Sequence, residues 1–248
     1  MKKNLLIISC CLFLSLFASH SFADPVINIF NATISGKNQE IPEVSTEAMQ
    51  QIVANNRAIV IDVRSLKEYF IDHIPGAFDA VNVDEAASLT GGNKDVPVVL
   101  YCNGPYCPKS MAVAKGLVDT GYEEVMCYRL GIPVWRALGN VTQIEIEGFS
   151  YIAANDHTSV LVDARNKKDF EKKSLLNAIN VPVAHVTKSI KKALNDGRLP
   201  VDHRSTRIIV FGENGQQAKP LAKALTKKGF HNVSFYDGYF NSLVNVIK

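Results

Sequence analysis

The sequence predicts an α/β protein with two similar domains, each a parallel sheet flanked by helices on both faces. An internal repeat is the first indication, because AIVIDVR at 58–64 matches SVLVDAR at 159–165 at an offset of 101 residues. The second indication is that short apolar runs alternate with helical stretches, which is typical of parallel sheets covered by helices. Later segments correspond as well, since VVLY at 98–101 matches IIVF at 208–211. Each half therefore follows the order strand, helix, strand, loop, helix, strand.

The first 23 residues are expected to form a signal peptide that belongs to neither domain. Lys2 and Lys3 precede an apolar stretch at 5–18, and SFA at 21–23 has the small-residue pattern of a cleavage site. The stretch is shorter than the ~20 residues of a membrane span, which makes an uncleaved anchor the weaker alternative. No later stretch is apolar enough to cross a membrane. We expect an exported protein, periplasmic or secreted, with no membrane span after cleavage.

The rest of the chain is expected to divide into an N-terminal domain at 24–140 and a C-terminal domain at 141–248. The pattern of strands and helices is interrupted at 140–143, which we interpret as a short linker. No low-complexity tract separates the halves, so we expect them to pack against each other.

Cys102 occupies the junction between a buried strand and a loop that leads into a helix. The VVLY run ends immediately before it, Gly104 and Pro105 mark a tight loop, and Ser110 is expected to be the helix N-cap. Backbone N–H groups of such a loop and the positive end of the helix favour a thiolate, lowering the cysteine pKa below its free value of roughly 8.5. Cys102 is therefore the candidate nucleophile, and a small buried core residue is the alternative.

Three cysteines follow the expected signal peptide, namely Cys102, Cys107 and Cys127. An odd number in an oxidising compartment leaves at least one thiol unpaired. Cys127 lies in a strand-like run and is expected to pack in the core. The spacing of Cys102 and Cys107 does not fit a zinc site, so we expect neither a metal nor another cofactor. Spacing alone does not decide whether these two cysteines form a disulfide, because the distance between their Cα atoms is decisive.

The charge of the chain gives no indication of a nucleic-acid partner. The formal net charge is +3, and it falls to +1 without the first 23 residues. Residues 24–140 carry a net charge of −5 and residues 141–248 carry +6. Opposite charges favour docking of the two halves, and we expect the basic half to form one wall of the Cys102 pocket. Incidental variation of surface charge is the alternative.

Four ordered motifs in the first half resemble those of a rhodanese domain. They are DVRSLKEY at 62–69, HIPGA at 73–77, the strand that leads into Cys102, and GIPVW at 131–135. Residues 145–248 resemble a second, diverged copy that keeps DAR at 163–165 and has Gly212 in the place of Cys102. The resemblance implies one domain with a nucleophile and one domain without it.

The resemblance also implies sulfur transfer. In a rhodanese the loop cysteine attacks the outer sulfur of a donor such as thiosulfate, holds it as a persulfide and passes it to a thiophilic acceptor. The implied partners are a small anionic donor and a thiol, cyanide-like or protein acceptor. The substrate-binding loop would contain Asn103, Gly104, Pro105, Tyr106, Cys107, Pro108, Lys109 and Ser110. Lys109 would add positive potential there, with a solvated surface lysine as the alternative.

Other residues of these motifs are expected to support the fold. Asp62 and Arg64 would lie at the end of the first long strand and hold neighbouring loops by charge-assisted hydrogen bonds, with direct catalysis as the alternative. His73 is expected to have a role in the turn rather than as a general base. Trp135 is expected to be a core aromatic residue.

The loop departs from the family pattern in its length. Ser110 lies eight residues after Cys102, whereas rhodanese loops place a Ser or Thr six residues after the nucleophile. Relatives with enlarged loops include phosphatases and arsenate reductases, but they have an arginine in the loop and none lies between Cys102 and Ser110. A thiol-redox protein that cycles Cys102 and Cys107 is an alternative function. A non-catalytic binding module is another.

Overall fold

The computed structural model describes residues 41–247, and within them the chain forms two separate parallel sheets. The expected signal peptide at 1–23 lies outside the described residues. Helices pack on both faces of each sheet. The predicted fold class, two α/β domains with helix-flanked parallel sheets, is confirmed.

The first sheet has the strand order β2-β1-β3-β4, and its pairings are all parallel. Its strands are β1 (Ile59–Asp62), β2 (Phe78–Asp79), β3 (Val98–Tyr101) and β4 (Val125–Tyr128). Its helices are α1 (Thr46–Asn55), α2 (Leu66–Ile71), α3 (Val83–Leu89), α4 (Lys109–Asp119) and α5 (Gly131–Ala137). Every residue of β3 and β4 is buried, as expected for strands that are covered on both faces.

The second sheet has the order β5-β9-β8-β6-β7 and is also parallel throughout. Its strands are β5 (Thr142–Ile144), β6 (Val160–Asp163), β7 (Ile179–Asn180), β8 (Ile208–Phe211) and β9 (Val233–Tyr236). Its helices are α6 (Ile146–Asn155), α7 (Lys167–Lys172), α8 (Val186–Asn195), α9 (Gly215–Thr226) and α10 (Phe240–Val246), with a 3-10 turn at Val183–His185. The order β8-β6-β7 repeats the order β3-β1-β2 of the first sheet.

The expected linker at 140–143 includes the start of β5, so that interpretation was wrong in part. β5 pairs with β9, and the Thr142 hydroxyl lies 2.7 Å from the hydroxyl of Ser234 on that strand. A strand of three residues is too short to show an alternating pattern, so sequence periodicity does not reveal it. An isolated parallel bridge between Glu43 and Cys127 lies at the corresponding edge of the first sheet.

The two faces of β3 pack against different sets of helices. Val98, Leu100 and Cys102 belong to the cluster that contains the apolar side of α4. Val99 and Tyr101 belong to the cluster on the opposite face, which includes Trp135 of α5 and the apolar side of α1. This alternation places Cys102 on the side of the sheet covered by the helix that follows it.

The two halves pack against each other through α2 and α6. His73 and Gln143 exchange two backbone hydrogen bonds of 3.0 and 2.8 Å, and the N–H of Glu145 donates to the carbonyl of Phe70 at 2.9 Å. The Lys67 ammonium group lies 4.4 Å from the centre of the Tyr151 ring. None of the helices in residues 41–247 is long and apolar enough to cross a membrane.

Ser110 does not cap α4, contrary to the sequence prediction. The helix begins at Lys109, two residues before the start that a cap at Ser110 predicts, and Pro108 in the cap position makes no side-chain capping bond. The φ of Pro108 is −78°, close to the helical value that the proline ring imposes, so the chain enters the helix without a hydroxyl cap. Ser110 is buried, and its carbonyl oxygen accepts a 3.6 Å hydrogen bond from the Cys127 thiol.

Candidate active site

Cys102 follows the last residue of β3, a strand paired on both sides in the first sheet. Its side chain is only 3% exposed, whereas Tyr106 in the same loop is 98% exposed. Ligands of parallel α/β sheets bind beyond the carboxyl ends of the strands, and Cys102 lies at such an end. The loop from Cys102 to Pro108 therefore extends from the buried sheet to the solvent before α4 begins.

A disulfide joins Cys102 to Cys107, with the two Cα atoms 6.2 Å apart. This decides the pairing that sequence spacing left open. Cys107 is partly exposed, so one sulfur of the bond is buried and the other is nearer the solvent. Cys127 is a free, buried thiol, and burial raises its pKa to about 12. It therefore stays protonated and unreactive in the core, as expected from its place in β4.

The loop folds back so that its two sulfur atoms meet. The N–H of Cys107 donates to the carbonyl of Gly104 at 3.0 Å, closing a turn. Gly104 has a φ of +121°, a conformation that residues with a side chain rarely adopt. The turn reverses the chain direction and brings Cys107 over the end of β3.

Arg129 follows β4 directly and contacts the cysteine loop from this neighbouring strand. Its guanidinium donates a 3.0 Å hydrogen bond to the carbonyl of Pro105 and forms a 2.7 Å ion pair with Glu43. Arg129 was not predicted from the sequence, because the expected place for a loop arginine was between Cys102 and Ser110. The signal was present, since β4 neighbours β3 and the carboxyl ends of parallel strands lie at the same edge of the sheet.

Asn103 connects the loop to α2. Its amide donates a 2.6 Å hydrogen bond to Glu68, whose carboxylate also accepts bonds from the backbone and hydroxyl of Ser65. Partial burial opposes ionisation of Glu68, but the hydrogen bonds from Ser65 and Asn103 outweigh it and lower the pKa to about 2. Glu68 is thus a carboxylate at neutral pH and a charged anchor for the loop.

Gly131 lies directly against the backbone of the cysteine loop. Its φ is +63°, and a Cβ at this position would overlap the carbonyl oxygen of Cys102 and lie 2.6 Å from the nitrogen of Gly104. The next residue, Ile132, donates its N–H to the same Cys102 carbonyl at 3.3 Å. The start of α5 therefore touches the loop backbone so closely that only glycine fits.

Asp62 and Arg64 form a buried ion pair at the end of β1. The guanidinium donates to the Asp62 carboxylate at 3.0 and 2.7 Å, and both side chains are almost fully buried. Arg64 also pairs with Asp72, and the Tyr101 hydroxyl donates to Asp62 at 2.8 Å. Burial disfavours the charge on Arg64, but the two carboxylates outweigh it and keep its pKa above the usual value. The pair ties β1 to β3 and to the segment after α2.

The second half contains the same ion pair without a neighbouring cysteine. Arg165 donates to Asp163 at 3.1 and 2.7 Å, and Ser174 donates to the same carboxylate at 2.7 Å. The Arg165 guanidinium also donates to the carbonyl of Lys173 at 2.6 Å. The second half thus keeps the ion pair although it has no cysteine at the end of β8. This favours a structural role over a catalytic role for both Asp–Arg pairs.

His73 lies in the contact between the halves. Its Nδ1 is 2.9 Å from the carbonyl of Tyr69, its ring stacks on the Tyr69 ring, and its Nε2 lies 3.5 Å from Glu145. Burial lowers the pKa of His73, which favours the neutral ring. These contacts are those of a residue that fixes a turn and an interface.

The loop of the second half is shorter and closed. Only Gly212, Glu213 and Asn214 separate β8 from α9. The Gln217 side chain turns back to accept a 3.0 Å hydrogen bond from the Glu213 N–H, and a Cβ on Gly212 would lie 2.8 Å from the Cβ of Gln217. A side chain at position 212 would therefore meet Gln217 instead of an open loop.

We expected the second half to form one wall of the Cys102 pocket. None of the hydrogen bonds described for residues 102–108 joins the loop to the second half. Those bonds join the loop to Glu68, to Arg129, to the start of α5 and α4, and to itself. The second half packs on α2 instead, because Gln143 and Glu145 extend the backbone pairing into the 70–73 segment.

Lys109 is exposed at the start of α4. No group of three or more His, Cys, Asp or Glu side chains within 41–247 is arranged to bind a metal ion.

Comparison with known protein families now identifies the repeat. The family model described as "Rhodanese-like domain" matches residues 45–138 and again residues 151–245. The chain belongs to the rhodanese-like domain family. Both matches together span most of the chain. The first contains all four strands of the first sheet, and the second contains four of the five strands of the second sheet, because β5 precedes it.

Individual relatives are similar to this chain at modest identity. A thiosulfate sulfurtransferase GlpE from Pseudomonas putida is 28% identical over 98 residues, which are 40% of this chain and 87% of the relative. An HTH-type transcriptional regulator, Rv0324, from Mycobacterium tuberculosis is 38% identical over 86 residues, 32% of this chain and 35% of the relative. The solved structure of SseA from Escherichia coli, a 3-mercaptopyruvate sulfotransferase, matches 79% of this chain and 97% of its own at 18% identity and a TM-score of 0.36. The rhodanese-like family and the thiosulfate sulfurtransferase relative support a sulfurtransferase-type function.

Proposed function

We propose that the protein is a sulfurtransferase that moves sulfane sulfur from a donor such as thiosulfate to a thiophilic acceptor through a persulfide on Cys102. The observation that carries the proposal is the position of this cysteine, after the central strand β3 and before the loop that opens α4. The rhodanese-like family and its thiosulfate sulfurtransferase members support the same reaction class. The second domain has Gly212 at the equivalent position and contributes no nucleophile.

The surroundings of Cys102 suit an anionic donor. Arg129 brings a permanent positive charge to the loop, and Lys109 adds a second cation in the first turn of α4. The same positive potential that attracts thiosulfate also favours the thiolate form of Cys102. In the reaction the thiolate attacks the outer sulfur of thiosulfate, the bond between the two donor sulfurs breaks, and sulfite leaves. An acceptor such as cyanide then attacks the terminal sulfur and regenerates the thiolate.

The disulfide has a direct consequence for this reaction. Cys102 bonded to Cys107 has no thiolate, so the enzyme must be reduced before it accepts sulfur. We expect no transfer by oxidised protein and full transfer after dithiothreitol treatment. Asp62 and Arg64 keep a supporting role in the proposal, because their contacts join strands and turns around the site.

Two substitutions in pre-reduced protein test the proposal. Cys102→Ser should abolish transfer from thiosulfate to cyanide, because it removes the nucleophile. Cys107→Ser should retain measurable transfer, since Cys107 belongs to the loop and not to the end of β3. An inactive Cys107→Ser variant beside an active Cys102→Ser variant would show that the nucleophile is misassigned.

A thiol-redox protein is the second candidate function, and the disulfide itself favours it. Such a protein would cycle Cys102 and Cys107 between dithiol and disulfide without holding sulfur. Mass spectrometry after thiosulfate treatment of the reduced Cys107→Ser variant distinguishes the two. Gain of one sulfur atom supports sulfur transfer, whereas an unchanged mass leaves thiol redox chemistry as the function.

We further propose that residues 1–23 direct export and are removed, so that the protein works in the periplasm or is secreted. The basic start, the apolar stretch and the SFA sequence at 21–23 support this proposal. N-terminal sequencing of the protein purified from its native cells tests it. A chain that starts at Asp24 is the expected result, and one that keeps the first 23 residues would contradict it.

A further inference from the structure

The disulfide and the proposed persulfide involve the same sulfur atom. Sulfur transfer needs Cys102 to carry an additional sulfur, and the structure has Cys107 within bonding distance of that Cys102 sulfur. A second thiol so close to a persulfide is a nucleophile placed against an electrophile. Sulfur transfer to an external acceptor uses only one cysteine, Cys102. That reaction therefore gives Cys107 no function.

We infer that Cys107 resolves the persulfide on Cys102, so that the protein reduces sulfane sulfur to sulfide with electrons from a dithiol. This inference rests on the proposed function, because it starts from the persulfide. It adds a second outcome for the bound sulfur, which leaves as hydrogen sulfide instead of passing to an acceptor such as cyanide.

The resolving step is balanced within the loop. The Cys107 thiolate attacks the inner sulfur of the Cys102 persulfide, and a bond forms between the two cysteine sulfurs. The bond from Cys102 to its terminal sulfur breaks, and that sulfur leaves with the electron pair as hydrosulfide. The two cysteines lose two electrons as the disulfide forms, and the sulfane sulfur gains them. No external oxidant takes part, and the product is the disulfide that the structure contains.

The reduced enzyme is regenerated by a dithiol, either a small molecule or a protein. Its first thiolate attacks Cys107, the more exposed sulfur, and Cys102 leaves as a thiolate. Attack at this end is favoured because the buried Cys102 is less accessible and because the better-stabilised thiolate is the better leaving group. The second thiol of the dithiol then releases Cys107, and the reductant ends as a disulfide.

The loop is built to hold Cys107 in this position. The turn from Gly104 to Cys107, the bond from Arg129 to the Pro105 carbonyl and the bond from Asn103 to Glu68 restrain it on three sides. The exposed Tyr106 lies beside Cys107, so the reductant can approach from the solvent side of the loop. The loop of the second half has neither cysteine and only three residues between strand and helix.

A single-turnover experiment on the full chain tests the inference. The protein is reduced with dithiothreitol, freed of the reductant without air, and mixed with thiosulfate. Omitting the reductant matters, because dithiothreitol would itself strip sulfur from a persulfide. Sulfite, sulfide and the intact protein mass are measured for wild type, Cys107→Ser, Cys102→Ser and Cys127→Ala. The last variant removes the free core thiol as a control.

Wild type and Cys127→Ala should each release about one sulfite and one sulfide per molecule and lose two hydrogens as the disulfide forms. Cys107→Ser should release sulfite but no sulfide, and it should gain one sulfur atom. Cys102→Ser should release neither.

Three outcomes would overturn the inference, and they differ in what they say about sulfur transfer. Wild type that keeps the added sulfur and a free Cys107 thiol would overturn the resolving step and leave the sulfurtransferase proposal intact. Sulfide release by Cys107→Ser equal to that of wild type would also exclude Cys107 as the resolving group. Absence of sulfite and of added sulfur in both wild type and Cys107→Ser would remove the persulfide itself, and the proposed function with it.

Discussion

Seven residues separate β3 from α4 in the first half, whereas three residues separate β8 from α9 in the second. The strands on either side pair in the same parallel order, and both halves keep the buried Asp–Arg pair. The two halves therefore differ at one junction of a shared scaffold. In our proposal, the groups that hold this fold together are distinct from the groups that form the reactive site of the first half.

The residue that follows the neighbouring strand also differs in charge between the halves. Arg129 follows β4 and donates to the Pro105 carbonyl of the cysteine loop. Asp237 follows β9, and its backbone carbonyl accepts the Gly215 N–H at the start of α9. The first half thus presents a cation at the loop and the second half a carboxyl group. An anionic donor is attracted to the first arrangement and repelled by the second.

The largest expected effect is a loss of folding stability, and it is the same in both halves. Asp62→Asn and Asp163→Asn should each lower the free energy of unfolding by about 3–5 kcal/mol, because each leaves a buried guanidinium without its main partner. Denaturant unfolding of the two variants measures the loss. If Asp62→Asn lost sulfur transfer with unchanged stability while Asp163→Asn was destabilised, Asp62 would be catalytic and the shared-scaffold account would be wrong.

A substitution at Gly131 should impair sulfur transfer, whereas a substitution at Gly139 should leave it intact. Gly131→Ala places a methyl group against the Cys102 carbonyl and displaces the loop, so transfer should fall at least tenfold, about 1.4 kcal/mol in the barrier. Gly139→Ala is the control, since Gly139 has a similar φ of +76° but open space around its Cβ position. Gly139→Ala should lose about 1 kcal/mol of stability and keep its transfer rate. Equal transfer rates in the two variants would contradict the role of Gly131 beneath the loop.

Arg129 gives a smaller, charge-dependent effect. Arg129→Gln should raise the KM for thiosulfate by about 3- to 10-fold with little change in kcat, because it removes a cation and a restraint from the loop. Added salt should raise the KM of wild type more than that of the variant. Arg204→Gln is the matched control, since Arg204 donates to the Lys228 carbonyl on the second half. The same rise in KM for Arg204→Gln would show a general charge effect instead of a local one.

Glu68 gives the smallest effect, and the size of this effect depends on pH. The folded-state pKa of about 2 lies below the usual glutamate value, so ionised Glu68 stabilises the fold above pH ~4.3 and loses this contribution as the pH falls toward 2. Glu68→Gln should be less stable than wild type at pH 7 by a few tenths of a kcal/mol, because solvent screens this partly exposed group. Unfolding curves at pH 7 and at pH 2–3 should show that the stability difference between wild type and Glu68→Gln becomes smaller in acid. A gap that widened in acid would refute the assigned direction of the pKa shift.

Much of the scaffold was predictable because buried parallel strands give strong apolar runs. β1, β3, β4 and their counterparts in the second half all appear as such runs, and the repeat at an offset of 101 residues exposed the second domain. The strand β5 was missed because three residues carry no detectable period. The predicted start of α4 lay two positions too late, because Pro108, rather than the hydroxyl of Ser110, occupies the cap position.

The place of Cys102 at the end of a strand was predictable, because a strand, a Gly-Pro loop and a helix follow one another along the sequence. Its role as the nucleophile stays a prediction. The contacts that support the loop were not predictable. Arg129, Gly131 and Glu68 support the loop from other elements, and contacts between elements distant in sequence are decided by packing. The disulfide has the same origin, because the turn at Gly104 sets the separation of the two Cα atoms.

The most direct test of the contrast between the halves is to locate the sulfur that the protein takes from its donor. The Cys107→Ser variant, reduced and treated with thiosulfate, should be digested and its peptides analysed by mass spectrometry. The account predicts one added sulfur atom on the peptide that contains Cys102 and none on peptides from residues 141–248. Sulfur on the Cys127 peptide alone, or no added sulfur on any peptide, would contradict the assignment of the chemistry to the junction of β3 and α4.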